Sequence, residues 1–183
     1  MVFSRGQWEQ VRRDFSTREY GTLVLDNDGL FELPVRLAES LPTPGHVPAV
    51  GSRLEVSMIA DTGVWGSVAS DSGTVEVTNW GDVPLWPEIV WNGAGGDVVL
   101  PSGVGFRIPR VSTEHRLSLD RRASGKAINS LTGAKVTTDA VGEMVPVGQT
   151  RSYTVPGGAK LEWRVGVFDP WNYCLLYTSD AAD

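Results

Sequence analysis

The sequence predicts an all-β chain of two antiparallel β-sandwich-type domains with one short N-terminal helix, and three observations predict it. The stretch Val75-Glu-Val-Thr-Asn-Trp-Gly-Asp-Val-Pro-Leu-Trp-Pro-Glu-Ile-Val-Trp-Asn-Gly93 joins two strand patterns through a turn marked by Pro and Trp. Near the other end, Leu161, Trp163, Val165 and Val167 alternate with Glu162, Arg164 and Gly166, the period of a half-buried strand. Between them, Gly93-Ala-Gly-Gly96 and Pro101-Ser-Gly103 punctuate short apolar runs at the spacing of an antiparallel sandwich.

From the N-terminus, Ser4 followed by Gln7 fits a capping box, and Trp8, Val11 and Phe15 fall on one helical face. An amphipathic helix is therefore expected from Arg5 to Arg18, stopped near Gly21. Its aromatic face should pack on the sheet that follows. Thr22–Leu25 and the alternating Phe31, Leu33, Val35 and Leu37 read as strands, with Asp26-Asn-Asp-Gly29 as a hairpin turn between them. Pro34 has no amide hydrogen to give to a ladder, which places its strand at a sheet edge. Leu41-Pro-Thr-Pro-Gly-His-Val-Pro48 reads as a rigid extended loop, followed by a strand through Leu54, Val56 and Met58.

The turn-rich pieces Asp61-Thr-Gly-Val-Trp-Gly66 and Ser70-Asp-Ser-Gly73 mark a domain boundary. The divisions are 1–70, 71–173 and a tail, 174–183. Within the second domain, strands are expected at Thr74–Thr78, Ile89–Trp91, Val98–Leu100, Phe106–Ile108, His115–Leu119, Tyr153–Val155 and Leu161–Val167. The tail Cys174-Leu-Leu-Tyr-Thr-Ser-Asp-Ala-Ala-Asp183 resembles a translated transposase adaptor of the kind used in sequencing libraries, so the authentic C-terminus is expected to be missing.

Bulk properties narrow the function. A net charge of −6, with Arg12-Arg13 and Arg121-Arg122 as the densest basic runs, gives no stripe for nucleic acid. No apolar run approaches the ~18 residues of a membrane span, and the N-terminus lacks the order of a signal peptide. The protein is therefore expected to start in the cytoplasm of the cell that makes it. One cysteine, Cys174, excludes a disulfide framework and a cysteine-rich metal site.

No catalytic constellation emerges, and the chain reads as a non-enzyme without catalytic residues, cofactor or metal. Gly93-Ala-Gly-Gly96 is followed by Asp97, not by the Lys-Ser/Thr pair of a phosphate loop, and reads as a hairpin turn. His46 lies in a Pro-rich loop and His115 in a charged strand, so both are expected at the surface. The turn Asp26-Asn-Asp-Gly29 lacks the later ligands a calcium loop needs, and no carboxylate pair stands out as a glycosidase pair. Seven tryptophans are the unusual compositional fact. Trp80, Trp86 and Trp91 are the candidate interface anchors, or, in the alternative, a glycan-stacking platform.

The run Val77-Thr-Asn-Trp-Gly-Asp-Val-Pro-Leu-Trp-Pro87, then Ile89-Val-Trp-Asn-Gly93, resembles the start of the galectin-like β-sandwich of siphophage distal tail proteins. Leu33-Pro-Val-Arg-Leu37 and Asp61-Thr-Gly-Val-Trp65 look like parts of that family's preceding ring-forming domain as found in phages of actinobacteria, and Leu161-Glu-Trp-Arg-Val-Gly-Val-Phe-Asp-Pro-Trp171 is similar to its closing strand. The resemblance spans most of Thr22 to Trp171 and rests on no catalytic motif. It implies a homohexameric ring at the tail end of a virion, assembled in the host cytoplasm. The ring would contact the tail tube, the tape-measure protein and the tip or baseplate, with host-surface glycan as a further candidate partner. Residues 1–70 are short for the ring-forming domain, which implies a truncated start or a reduced domain.

Overall fold

The computed structural model describes residues 9–10, 14–26, 29–41, 56–123 and 125–171. The chain divides into two compact units, Met1–Trp65 with Asp169–Asp183, and Gly66–Phe168. The expected all-β character holds in both, with antiparallel sheets throughout.

In the first unit, β1 (Gly21–Asp26) and β2 (Leu30–Leu37) form a hairpin in the register Asp26↔Leu30 to Gly21↔Val35. The alternation read from the sequence becomes alternating burial: Phe31, Leu33, Val35 and Leu37 are buried, and the residues between them are not. The edge position expected from Pro34 is not found. β2 pairs with β1 on one side and, at Arg36 and Leu37, with β3 (Met58–Ile59) on the other, Pro34 lying just short of that second pairing. The N-terminal helix falls largely outside the described residues. Glu9, Gln10 and Asp14 are helical, but the helix does not reach Arg18. Ser16 Oγ accepts the amides of Arg18 and Glu19, a local turn that competes with helix continuation. The Pro-rich loop beyond Leu41, His46, the turn residues Asn27 and Asp28, Leu54 and the tail lie outside the described residues.

The second unit is a sandwich. One sheet has the order β4-β13-β6-β9-β10-β11, where β4 is Trp65–Asp71, β6 Glu88–Gly93, β9 Val111–Ser118, β10 Lys126–Asn129, β11 Lys135–Thr137 and β13 Ala159–Val167. The other has the order β5-β12-β7-β8, where β5 is Thr74–Thr78, β7 Gly96–Val99, β8 Gly105–Ile108 and β12 Thr150–Thr154. Both inner faces feed one core: Val75, Val77, Ile108 and Tyr153 from one sheet meet Ile89, Trp91, Leu117 and Leu161 from the other. On the outer side of the second sheet, cross-strand threonine pairs join β5 to β12 through their hydroxyls, Thr74 to Thr154 at 3.2 Å and Thr78 to Thr150 at 2.8 Å.

Three strands, β4, β10 and β11, were not expected. β4 runs through the stretch whose Gly and Ser residues read as a boundary. At Gly66 the Arg164 side chain lies over the position a Cβ would take. The turn Gly93-Ala-Gly-Gly96 is also not a hairpin. It carries the chain from β6 in one sheet to β7 in the other, and a Cβ on Gly95 would lie 2.3 Å from the Ile108 carbonyl oxygen.

Candidate functional site

The residues singled out by the sequence are structural first. Asn79 is fully buried, and its amide nitrogen donates to the carbonyls of Val83 and Val145, both at 2.9 Å, while its Oδ1 accepts the Gly81 amide at 3.1 Å. The Asn79 backbone also exchanges hydrogen bonds with the 148–149 turn: its amide donates to the Gln149 carbonyl and its carbonyl accepts the Gly148 amide. Gly81 sits where a Cβ would lie 2.3 Å from the Gly166 carbonyl oxygen. Asp82 closes the same corner: its amide donates to the Gly166 carbonyl, and its carboxylate accepts the Phe168 amide, both at 2.8 Å. The Asn-Trp-Gly-Asp run thus latches the passage from β5 in one sheet to β6 in the other, with every buried polar atom of the Asn79 side chain satisfied.

The tryptophans divide. Trp91 is 2% exposed, donates its Nε1–H to the Pro109 carbonyl at 2.9 Å and packs at 41° on His115 with ring centroids 5.8 Å apart. A ring so covered offers no face to a sugar, which removes Trp91 from the candidate stacking platform. Trp80 and Trp86 are half-buried, and Trp80 packs against the core. His115, expected at the surface, is 6% exposed, because the register Trp91↔His115 carries it beneath the Trp91 ring. Its Nδ1 lies 2.9 Å from the Thr113 carbonyl.

The place where polar side chains converge is the outer face of the β4-to-β11 sheet. There an open cleft of about 540 Å³ is lined by Glu88, Arg116, Ser118, Lys126, Asn129 and Lys135, among others. Register explains the assembly: Val90 faces both Lys160 and Arg116, Ile128 faces both Arg116 and Lys135, and Glu88 faces both Ser118 and Glu162. Residues directly opposite share a face, so these side chains form one surface although they lie far apart in sequence. Arg116 is the hub. Its Nη1 donates to Glu162 at 2.8 Å and lies 3.5 Å from Glu88, and its Nε lies 3.6 Å from Glu114. Lys160 adds a contact to the other Glu162 oxygen at 3.2 Å. The hydrogen bond from Arg116 holds the Glu162 carboxyl below the usual range, with Lys160 assisting, and Glu162 in turn raises the guanidinium.

At the cleft's far wall, Asn129 fixes the tight turn between β10 and β11. Its Oδ1 accepts the amides of Leu131 and Thr132, and its Nδ2 donates to Thr113 Oγ1 at 2.6 Å. Among the described residues no group of three His, Cys, Asp or Glu is placed to hold a metal, and no helix is long and apolar enough to cross a membrane. None of the cleft-lining residues was singled out as a site residue from sequence. Each is an ordinary polar residue of a short strand, and only the register brings them together. Comparisons with protein-family models, with curated proteins and with solved structures returned no match.

Proposed function

We propose that the chain is a structural component of a phage tail tip, forming a homo-oligomeric ring that connects the tail tube to the tip or baseplate, with the Gly66–Phe168 unit as a galectin-like projecting domain. The observation that carries this reading is the open flank of the first unit. β1 is terminal in its strand order, and Leu23 and Val24 are 41% and 51% exposed on its two faces. An edge strand with apolar residues on both faces is a template for pairing with another chain, and a closed symmetric assembly, such as a ring, covers such edges in every copy. The residues that resemble the tail-protein motif serve the fold: Asn79, Gly81 and Asp82 close the corner between the two sheets.

The test is the state of the purified full-length chain in solution. Light scattering coupled to size exclusion should give one closed multiple of the 19.8 kDa chain, and negative-stain images should show rings. A protein that remains monomeric at high concentration and forms no rings would sink the proposal.

A further inference from the structure

We propose that the cleft on the outer face of the β4-to-β11 sheet is a binding site for an anionic saccharide, whose oxyanion is taken between Arg116, Lys126 and Lys135. The site is independent of the ring reading, since every residue it uses belongs to one copy and one unit.

Charge placement is the first argument. The chain carries −6 overall, yet three of the four charged side chains lining this cleft are cations: Arg116, Lys126 and Lys135, against Glu88. Arg116 is balanced by Glu162, Glu88 and Glu114, but Lys126 and Lys135 have no ion pair or side-chain hydrogen bond among the described residues. The unbalanced positive charge is therefore at the β10–β11 side. Lys126 and Ile128 lie on the same face of β10, and Lys135 faces Ile128, so both ammonium groups flank one apolar residue on the outward side.

Preorganisation is the second argument. Three carboxylates hold the Arg116 guanidinium through Nη1 and Nε, while Nη2 makes no hydrogen bond among the described residues. Its side chain stays 39% exposed. With Nη1 and Nε held in place, Nη2 is the nitrogen left to present its donors, at little ordering cost, to an incoming oxyanion.

Lining chemistry narrows the ligand class. Ser118 and Ser130 bring hydroxyls to the cleft lining and Glu88 a carboxylate acceptor, a mixture suited to sugar hydroxyls, while the Asn129 amide is committed to the β10–β11 turn. Among the described residues no aromatic ring lines the cleft, so the affinity is expected from the oxyanion and not from stacking. A nucleic acid fits poorly, because neutralising a phosphate chain takes a longer cationic track and its bases want aromatic platforms.

The test uses the full-length protein, isotope-labelled, in amide NMR titrations with four probes: a galacturonic acid hexamer, its fully methyl-esterified and uncharged form, a glycerol-phosphate hexamer and a hexaglutamate peptide. The expected result is saturable shifts at Arg116, Lys126 and Lys135 with an anionic carbohydrate-type oligomer, at least tenfold weaker binding by K126Q/K135Q, and no binding of the ester. Preference for the hexuronate identifies a carboxylate sugar as the source of the oxyanion; preference for the glycerol phosphate, which contains no sugar ring, overturns the saccharide assignment. Equal binding of hexaglutamate, undiminished binding by the double variant, or no response to either anionic oligomer at millimolar concentration overturns the proposal. Both lysines are exposed, so the variant retains the fold, which its unshifted core amides will verify.

Discussion

The two units solve the same problem, a twisted antiparallel sheet with one apolar face, to different degrees of completion. In Gly66–Phe168 a second sheet covers the first, and Val77, Ile89, Leu117, Leu161 and Val167 are fully buried. In the N-terminal unit, burial stops at β2. Leu23 lies opposite Leu33 and so shares its face, yet Leu33 is 8% exposed and Leu23 41%. The lesson is that one unit is finished within its own chain, whereas the other leaves apolar edge surface of the kind that association removes from water.

The largest effects should come from breaking the finished unit at its latch. Gly81→Ala drives a methyl group into the Gly166 carbonyl, and Asn79→Ala removes the side-chain hydrogen bonds to the Val83 and Val145 carbonyls and strands the Gly81 amide. Each should lower the stability of the Gly66–Phe168 unit by about 3 kcal/mol or more in urea unfolding. A loss confined to a few tenths would mean that the corner is not what holds the two sheets in place.

The open flank should respond in the opposite way. Replacing Leu23 and Val24 together by Thr should change the unfolding free energy of the monomer by no more than about 0.5 kcal/mol, the range for exposed positions, while abolishing the ring in size exclusion. If the double variant instead unfolds like a core substitution, β1 is covered and the contrast between the units fails.

The smallest effect belongs to the outer face of the finished unit. Glu162→Gln removes the carboxylate that Arg116 and Lys160 share. Because both partners are partly solvated, the cost at neutral pH should be about 1 kcal/mol or less. The folded-state pKa of Glu162 is depressed, so its contribution is complete above the unfolded carboxylate pKa and is lost as pH falls through the lower folded value. Wild type and variant should therefore differ at pH 7 and converge in strongly acidic buffer. A difference that stays constant over that range would assign the effect to packing.

Legibility followed local pattern. β5, β2 and β13 were readable because each alternates apolar and polar residues over several positions, and their burial alternates in step over most of their length. β10 and β11 were not, because Lys126–Asn129 buries only Ala127 and Lys135–Thr137 buries nothing. Short strands at the far side of a sheet are held by the ladder beside them, and their own side chains carry little signal. The candidate cleft was illegible for the same reason. The edge reading of Pro34 failed differently: β2 is paired on both sides, and sequence does not say which neighbours a strand will have or where their pairing starts.

By itself the sequence determined the fold class of the protein, through period-two alternation and turn residues at the ends of each run. It also contained the Asn79-to-Asp82 corner, since a buried Asn, a Gly without room for a Cβ and an Asp acceptor are residue choices local to a few positions. Only the tertiary structure decided which sheet each strand joins, that Gly93-Ala-Gly-Gly96 changes sheets, that Trp91 and His115 go inside, and that Arg116 meets Glu88, Glu162 and the two lysines on one face. The physical reason is that strand pairing is set by contacts between distant segments, whose register no single stretch of chain specifies.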